Sequence, residues 1–136
     1  MNAIDTNVLV YAFDLDEADK GPRAIALIES LPAGSTILLW QVACELGGVL
    51  TRIGPRARNV ADRHTAIESV LARFPLVTPR PEVFETAWQL RDAHQLSWWD
   101  GLLLAACIDA GITRLYTEDI QGKPIIGGVE IINPFV

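Results

Sequence analysis

The sequence has few residues that close disulfides or bind soft metals: its 136 residues include two cysteines, two histidines and one methionine. Cys44 and Cys107 lie far apart, each within an apolar helical pattern, so we expect buried free thiols rather than a disulfide or a metal pair. His64 and His94 are also well separated, and neither is a good candidate for a general base. A reducing compartment fits this composition.

Long apolar runs are also missing, since none approaches the roughly 20 residues that a helix needs to cross a bilayer. The first residues carry an acid at Asp5 and no basic cluster, which argues against a signal peptide. We therefore expect a cytoplasmic protein. Hydrophobic residues make up 50% of the chain, which is typical of an ordered globular protein, and the length suits a single domain over residues 1–136.

Basic residues are scarce: there are 11 Lys and Arg against 17 Asp and Glu, for a net charge of −6. This balance argues against a nucleic-acid partner, because Lys and Arg drive phosphate binding. Most of the basic residues are Arg, however, and four of them cluster around one predicted helix junction: Arg52, Arg56, Arg58 and Arg63. A solvated helix end is the simpler explanation of that cluster.

Predicted strands alternate with predicted helices along the chain. The segment "NAI" is followed by Asp5-Thr6-Asn7, which is typical of a helix N-cap, so we predict a short strand ending at Asp5 and a helical turn after it. A continuous strand through residue 12 is the alternative. "STILLW" is a buried type of strand that runs directly into the helical pattern "QVACELGGVLTRI", and brief strands follow at "LVT", "RLYT" and "VEIIN", the last after a Gly-Gly turn. Further helices are predicted after Pro22, from about Arg58 to Arg73, after Pro81, and from Ser97 to Gly111.

This alternation predicts an α/β fold, a three-layer α/β/α sandwich with a mainly parallel central sheet. In such sheets ligands bind beyond the carboxyl ends of the strands. Asp5 ends the first predicted strand, and Asp119, next to Glu118, follows "RLYT". Two acids are therefore expected at the edge of the sheet where ligands bind.

Two further acids fall on the apolar stripes of predicted helices. Ser97 can cap a helix in which Asp100 shares a face with the apolar residues at 103, 104, 107 and 108. Glu45 lies three residues after Val42 and four before Val49, inside the stripe of its own helix. Capping, a buried ion pair or an ordinary turn would explain each acid alone. Four carboxylates together would repel, by roughly 4 kcal/mol for a pair 4 Å apart at a dielectric near 20, unless they protonate or bind cations.

Oxygen ligands without His or Cys suit a hard cation, so we predict Mg²⁺ or Mn²⁺ held by Asp5, Asp100 and Asp119. Metal-assisted hydrolysis of a phosphodiester is the chemistry that fits, with Glu45 holding or deprotonating the attacking water. Side chains behind the ligands are expected to orient them. The candidates for that role are Thr6, Asn7 and Thr117.

Five segments together resemble the PIN-domain family, and within it the ribonuclease toxins of bacterial VapBC toxin–antitoxin pairs. They are "DTNVLVYA" at Asp5, "CEL" at Glu45, "SWWDGLLLAA" at Asp100, "YTED" ending at Asp119, and a closing "INPF". The resemblance implies an α/β/α sandwich, a Mg²⁺- or Mn²⁺-dependent endoribonuclease acting on RNA, these four acids as site residues, a homodimer, and inhibition by a small antitoxin. In "TED" the family's acid is the second residue after Thr, which selects Asp119 and leaves Glu118 as a neighbour or an alternative ligand.

Three points stay open in the sequence. A non-catalytic metal- or RNA-binding module of the same fold has the same acids, and an aspartyl-phosphate hydrolase is less favoured because Asn7 stands where that chemistry needs a general acid. Gly47 and Gly48 inside a helix indicate either close backbone packing or flexibility beside Glu45. The tryptophans are expected in the core or an interface, although one beside Asp100 would be able to stack on a base if exposed. They are Trp40, Trp88, Trp98 and Trp99.

Overall fold

Strands and helices alternate along the described residues, 1–54 and 63–136, of this computed structural model. The strands are β1 Asn2–Ile4, β2 Thr36–Leu39, β3 Leu76–Val77, β4 Arg114–Tyr116, β5 Ile125–Ile126 and β6 Val129–Ile132. The α-helices are α1 Thr6–Phe13, α2 Lys20–Ser30, α3 Trp40–Ile53, α4 Arg63–Arg73, α5 Val83–His94 and α6 Trp98–Asp109, and a 3-10 turn spans Ala33–Ser35.

The strands form one sheet in the order β3-β2-β1-β4-β6-β5. All neighbouring pairs are parallel except β5 with β6. From β1 the chain builds outward to β2 and β3, then returns to place β4 on the other side of β1. The switch point between β1 and β4 is where an open parallel sheet leaves a crevice for a ligand.

The helices lie in two groups. Helix α1 packs against α2 and α3, and α3 packs against α4, whereas α5 packs against α6. Parallel crossovers are right-handed. The chain adds β2 and β3 on one side of β1 and then crosses back to add β4 on the other side, so α5 and α6 lie on the opposite face of the sheet from the first group. The predicted α/β/α sandwich with a mainly parallel sheet is confirmed.

The first strand ends where the sequence predicts, and α1 begins at once. Asp5 caps α1, and its side chain accepts a hydrogen bond from the backbone N–H of Thr6. The alternative of a continuous strand through residue 12 is wrong, because the cap satisfies a free helix N–H that an extended chain would not present.

Helix α3 follows the predicted stripe only in part. Val42, Leu46 and Leu50 are buried, but Glu45 is exposed rather than on the buried side. Cys44 is likewise exposed, against the prediction of a buried thiol, because it lies between the buried positions on the helical wheel. Cys107 is buried as predicted, and both cysteines are free.

Two helices begin two residues away from the prolines that predict their starts. Helix α2 begins at Lys20, before Pro22, and α5 begins at Val83, after Pro81. Arg56, Arg58 and the first five residues of the helix predicted from Arg58, 58–62, lie outside the described residues.

The C-terminal part contains a strand that the sequence pattern does not predict. The two-residue strand β5 pairs with β6, with Ile126 opposite Val129. Gly127 and Gly128 connect them with φ of 57° and 82°, the left-handed backbone that a two-residue hairpin requires. The predicted Gly-Gly turn is therefore present. Across the described ranges, no helix combines the length and the hydropathy needed to span a membrane.

Candidate active site

A cavity of about 420 Å³ opens at the carboxyl ends of β1 and β4. All four predicted acids line it, although they come from four different parts of the chain: the end of β1, helix α3, the first turn of α6 and the loop after β4. The lining residues are Asp5, Gln41, Glu45, Trp99, Asp100, Leu103 and Asp119.

Asp5 is the most deeply placed of the acids, with 6% of its surface exposed. Its Oδ1 accepts from the backbone N–H of Thr6 at 2.7 Å, and its Oδ2 accepts from the hydroxyl of Thr117 at 2.7 Å. The same Thr117 oxygen accepts from the backbone N–H of Asp119 at 3.1 Å. One buried hydroxyl thus fixes the relation between two of the acids, in the orienting position predicted for Thr117.

Glu45 is exposed, yet both of its carboxylate oxygens are hydrogen-bonded. The hydroxyl of Thr6 donates to Oε2 at 2.9 Å, and Nε2 of Gln41 donates to Oε1 at 3.0 Å. Nε2 of Gln41 also lies 3.3 Å from the carbonyl oxygen of Trp99. Gln41 was missed by the sequence analysis, although its place four residues before Glu45 on one helix face was a usable signal.

Asp100 lies in the first turn of α6 and at the cavity. Its backbone N–H donates to Oγ of Ser97 at 3.1 Å, so Ser97 caps α6 as predicted. Its side chain is half-buried at the cavity rather than in the core. Asp119 is exposed in the loop that follows β4 and also lines the cavity.

The environment shifts the pKa of two carboxyl groups upward. Burial raises the pKa of Asp5 to about 6, against the lowering effect of its bonds from Thr117 and Thr6, and the charges of Asp119 and Glu45 raise it further. Burial also raises the pKa of Asp100, to which the same two charges contribute. Both groups therefore hold their protons more strongly than a free carboxyl group, and a cation in the cavity would favour their ionised forms.

Two further side chains lie near the acids, Asn7 and Glu118. Asn7 makes no hydrogen bond to any of the acids within the described residues, and both polar atoms of its buried amide lack a partner there. Glu118 turns away from the cavity: it accepts from Nζ of Lys20 at 2.7 Å and from the hydroxyl of Tyr11. Burial tends to raise the pKa of Glu118, but these two bonds outweigh it and leave the pKa below its usual range.

The donor set fits a hard cation. Four carboxylates face one cavity, and no Lys or Arg of the described ranges forms an ion pair with any of them. As the side chains stand, no three His, Cys, Asp or Glu residues among those described are grouped closely enough to hold one ion. Mg²⁺ commonly takes only one or two carboxylates and completes its coordination with water and substrate phosphate, so this spacing still suits it.

A family model for the PIN domain matches residues 3–121, which include all of these acids. The chain belongs to the PIN domain family. The family match confirms the resemblance drawn from the five sequence segments. Among curated proteins, none is significantly similar to this PIN domain.

Several solved structures share its fold. A toxin–antitoxin complex from Klebsiella pneumoniae matches with a TM-score of 0.72 and 18% identity, covering 98% of each chain. FitAcB from Neisseria gonorrhoeae matches with a TM-score of 0.71 and 21% identity, covering 99% of each chain. VapC20 from Mycobacterium tuberculosis, described as a sarcin-ricin loop cleaving toxin, matches with a TM-score of 0.66 and 19% identity, covering 89% of this chain and 92% of its own. At these identities the likeness establishes the fold.

Proposed function

We propose that this PIN domain is a metal-dependent endoribonuclease and the toxin of a type II toxin–antitoxin pair. The observation that carries the proposal is the convergence of Asp5, Glu45, Asp100 and Asp119 on one cavity at the switch point of a parallel sheet. A cluster of carboxylates without a paired Lys or Arg is costly unless a cation binds, and hard cations bring phosphate oxygens with them.

In this proposal Asp5, Asp100 and Asp119 would hold Mg²⁺ or Mn²⁺, directly or through water molecules of the ion. The bound ion would supply Lewis-acid chemistry at a phosphodiester and lower the pKa of a water molecule. Glu45 holds that water or accepts its proton, and its two hydrogen bonds, from Thr6 and Gln41, fix the direction of its carboxylate. Thr117 orients Asp5 and the backbone of Asp119.

The partners follow from the toxin assignment. Structures of the same fold include a toxin–antitoxin complex and a toxin that cleaves the sarcin-ricin loop, which supports a small antitoxin as inhibitor and RNA as substrate. A homodimer and a cytoplasmic location belong to the same proposal. The single-domain assignment over residues 1–136 also stays a proposal.

A non-catalytic metal- or RNA-binding module is the second candidate. It is favoured by one observation: within the described residues no three potential ligands are grouped closely enough to hold a single ion. A weakly held ion would allow binding of phosphate without efficient hydrolysis.

The first experiment is thermal melting of the wild type, Asp100→Asn and the control Asp92→Asn at increasing Mn²⁺ concentration. Asp92 is exposed on α5 and pairs with Arg91 outside the cavity. We expect Mn²⁺ to stabilise the wild type and the control, by about 2.7 kcal/mol at a hundredfold excess over Kd. Asp100→Asn should start more stable, because it relieves carboxylate repulsion, and should gain little from the metal.

Two outcomes would contradict parts of the proposal. If Mn²⁺ stabilises none of the three proteins and Asp100→Asn melts lower, Asp100 is only a structural cap. The second outcome is that the metal binds as expected but the wild type, like Asp5→Asn, leaves single-stranded and hairpin RNAs uncut with Mg²⁺ or Mn²⁺. The non-catalytic module is then the better assignment.

A further inference from the structure

Trp99 is the most exposed tryptophan in the chain, with 63% of its surface accessible, and it lines the cavity beside the acids. Trp40 and Trp88 are exposed as well, so it is the place of Trp99 at the cavity, more than its exposure, that sets it apart. The sequence predicts that the tryptophans lie in the core or in an interface. Trp99, Trp88 and Trp40 are all exposed, so a core position is wrong for these three.

The backbone of Trp99 is tied to the acids. Nε2 of Gln41 approaches its carbonyl oxygen at 3.3 Å and also donates to Oε1 of Glu45. The next residue, Asp100, is held by the cap on Ser97. These bonds hold the backbone from which the indole projects close to two of the four carboxylates.

The neighbouring Trp98 does not share this position. Its ring packs on Trp88 of α5 with centroids 4.5 Å apart and is stacked with Phe84 at 6.4 Å. Successive residues of a helix point about 100° apart, so Trp98 faces α5 while Trp99 faces the cavity. The aromatic cluster on α5 thus leaves Trp99 free of ring partners among the described residues.

The charge of the cavity limits how it can bind a nucleotide. Among the described residues, no Lys or Arg lines it, so this part of the chain does not supply the usual contacts to phosphate there. Stacking of a base on an aromatic ring does not depend on charge and contributes about 5- to 150-fold in affinity for each base. An uncharged contact of this kind is what an acidic cavity needs in addition to its cation.

We propose that Trp99 is a stacking platform for the base of the nucleotide whose phosphate is held at the acids. This inference rests on the proposed nuclease function and adds a substrate-positioning residue to it: Trp99 holds the base while the acids and their cation hold the phosphate. In an A-form duplex the faces of each base are covered by its stacked neighbours, so only an unstacked base offers its face to Trp99.

The test compares adenosine monophosphate with ribose 5-phosphate, both in the presence of Mn²⁺, by calorimetric or NMR titration. Neither ligand contains a phosphodiester, so cleavage does not interfere. For the wild type we expect the base to improve affinity by about 5- to 150-fold. Trp99→Ala should bind both ligands equally, Trp99→Phe should keep part of the preference, and the control Trp40→Ala, which alters an exposed tryptophan outside the cavity, should keep all of it.

NMR of the tryptophan indoles gives a second readout. The indole N–H signal of Trp99 should shift with adenosine monophosphate but not with ribose 5-phosphate, while that of Trp40 stays in place. A preference for the base that survives in Trp99→Ala would overturn the inference. So would the absence of binding of either ligand to a wild type that Mn²⁺ still stabilises.

Light scattering separates stacking from self-association. If Trp99→Ala dissociates an oligomer and leaves the preference for the base unchanged, Trp99 contacts a second copy of the chain and the inference is wrong.

Mn²⁺ melting distinguishes failure of this inference from failure of the nuclease proposal. Stabilisation by the metal without any preference for the base contradicts only the role of Trp99. The absence of stabilisation by the metal contradicts the nuclease assignment itself.

Discussion

The hydroxyl of Thr117 donates a 2.7 Å hydrogen bond to Oδ2 of Asp5, across 112 positions of the sequence. Thr117 is fully buried at the end of β4, and Asp5 is buried at the end of β1. The bond exists because β4 lies directly beside β1 in the sheet. It is also the contact through which Asp5 and the backbone of Asp119 are positioned together.

Replacing Thr117 by Val should disturb stability and the site at once. The change removes the donor to Asp5 and the acceptor of the Asp119 N–H, so we expect a loss of about 1–3 kcal/mol in the free energy of unfolding. The pKa of Asp5 should rise above its present value of about 6, because this hydrogen bond lowers it. Urea unfolding and carboxyl ¹³C NMR measure the two effects.

Thr113→Val is the matched control for that change. Thr113 is exposed, and its hydroxyl donates to the carbonyl oxygen of Met1 at 3.3 Å and accepts from the Met1 ammonium at 3.5 Å. Because both contacts are long and exposed, a change within about 0.5 kcal/mol is expected. Equal losses in the two variants would show that the buried bond to Asp5 adds nothing.

The raised pKa of Asp5 predicts a pH-dependent stability in the metal-free protein. Between the ordinary value of 3.8 and the folded value of about 6, the folded state keeps a proton that the unfolded state has lost. The free energy of unfolding should therefore fall as pH rises through this window, by about 3 kcal/mol for a shift of about two units, and stay level above it.

Asp5→Asn isolates this effect, since Asn does not titrate. With EDTA present, the free energy of unfolding of the variant should rise relative to that of the wild type between pH 4 and pH 7, and the difference should change by about 3 kcal/mol. Urea unfolding at several pH values measures the difference. A difference that is the same at every pH would mean that Asp5 does not carry a raised pKa.

Glu118→Gln and Asp119→Asn should separate the two neighbouring acids. Glu118 accepts from Lys20 and Tyr11 and does not line the cavity, whereas Asp119 does. We therefore expect Mn²⁺ to stabilise Glu118→Gln as it does the wild type, and to stabilise Asp119→Asn much less. The reverse pattern in Mn²⁺ melting would make Glu118 the ligand.

Gly101→Ala should destabilise the protein, although Ala is the better helix former. An added Cβ would lie 2.9 Å from the carbonyl oxygen of Ala87 and 3.5 Å from Cβ of Arg91. Since α5 and α6 pack against each other here, the helices must separate, and we expect a loss of about 1–3 kcal/mol together with weaker Mn²⁺ binding at the adjacent Asp100.

Gly47→Ala and Gly48→Ala are the controls within α3. No atom of the described residues lies within 4 Å of the added Cβ at either position, so close packing does not explain this pair. Each change should stabilise the helix by about 0.5–1 kcal/mol. A loss of stability at these positions would show that the helix needs glycine for a reason other than space.

Local patterns in the sequence were sufficient for the secondary structure around the site. The cap at Asp5, the cap at Ser97 and the stripe of Val42, Leu46 and Leu50 depend on neighbours within four residues, and the sequence displays such neighbours directly. The strand–helix alternation predicted the parallel sheet by the same kind of local reasoning. The two-residue strand β5 was too short for any period to be visible.

The tertiary structure alone decided how the acids are arranged. The strand order makes β1 and β4 neighbours, and this brings Thr117 to Asp5; it also buries Asp5 while leaving Glu45 and Asp119 exposed. Glu118 and Asp119 are adjacent in sequence, yet only the fold turns one towards Lys20 and the other towards the cavity. The sequence by itself determined the order of the helices and of the longer strands and the two caps beside the site, because those preferences are local. Depth, partners and direction depend on burying the whole chain at once, so they were decided by the packed structure.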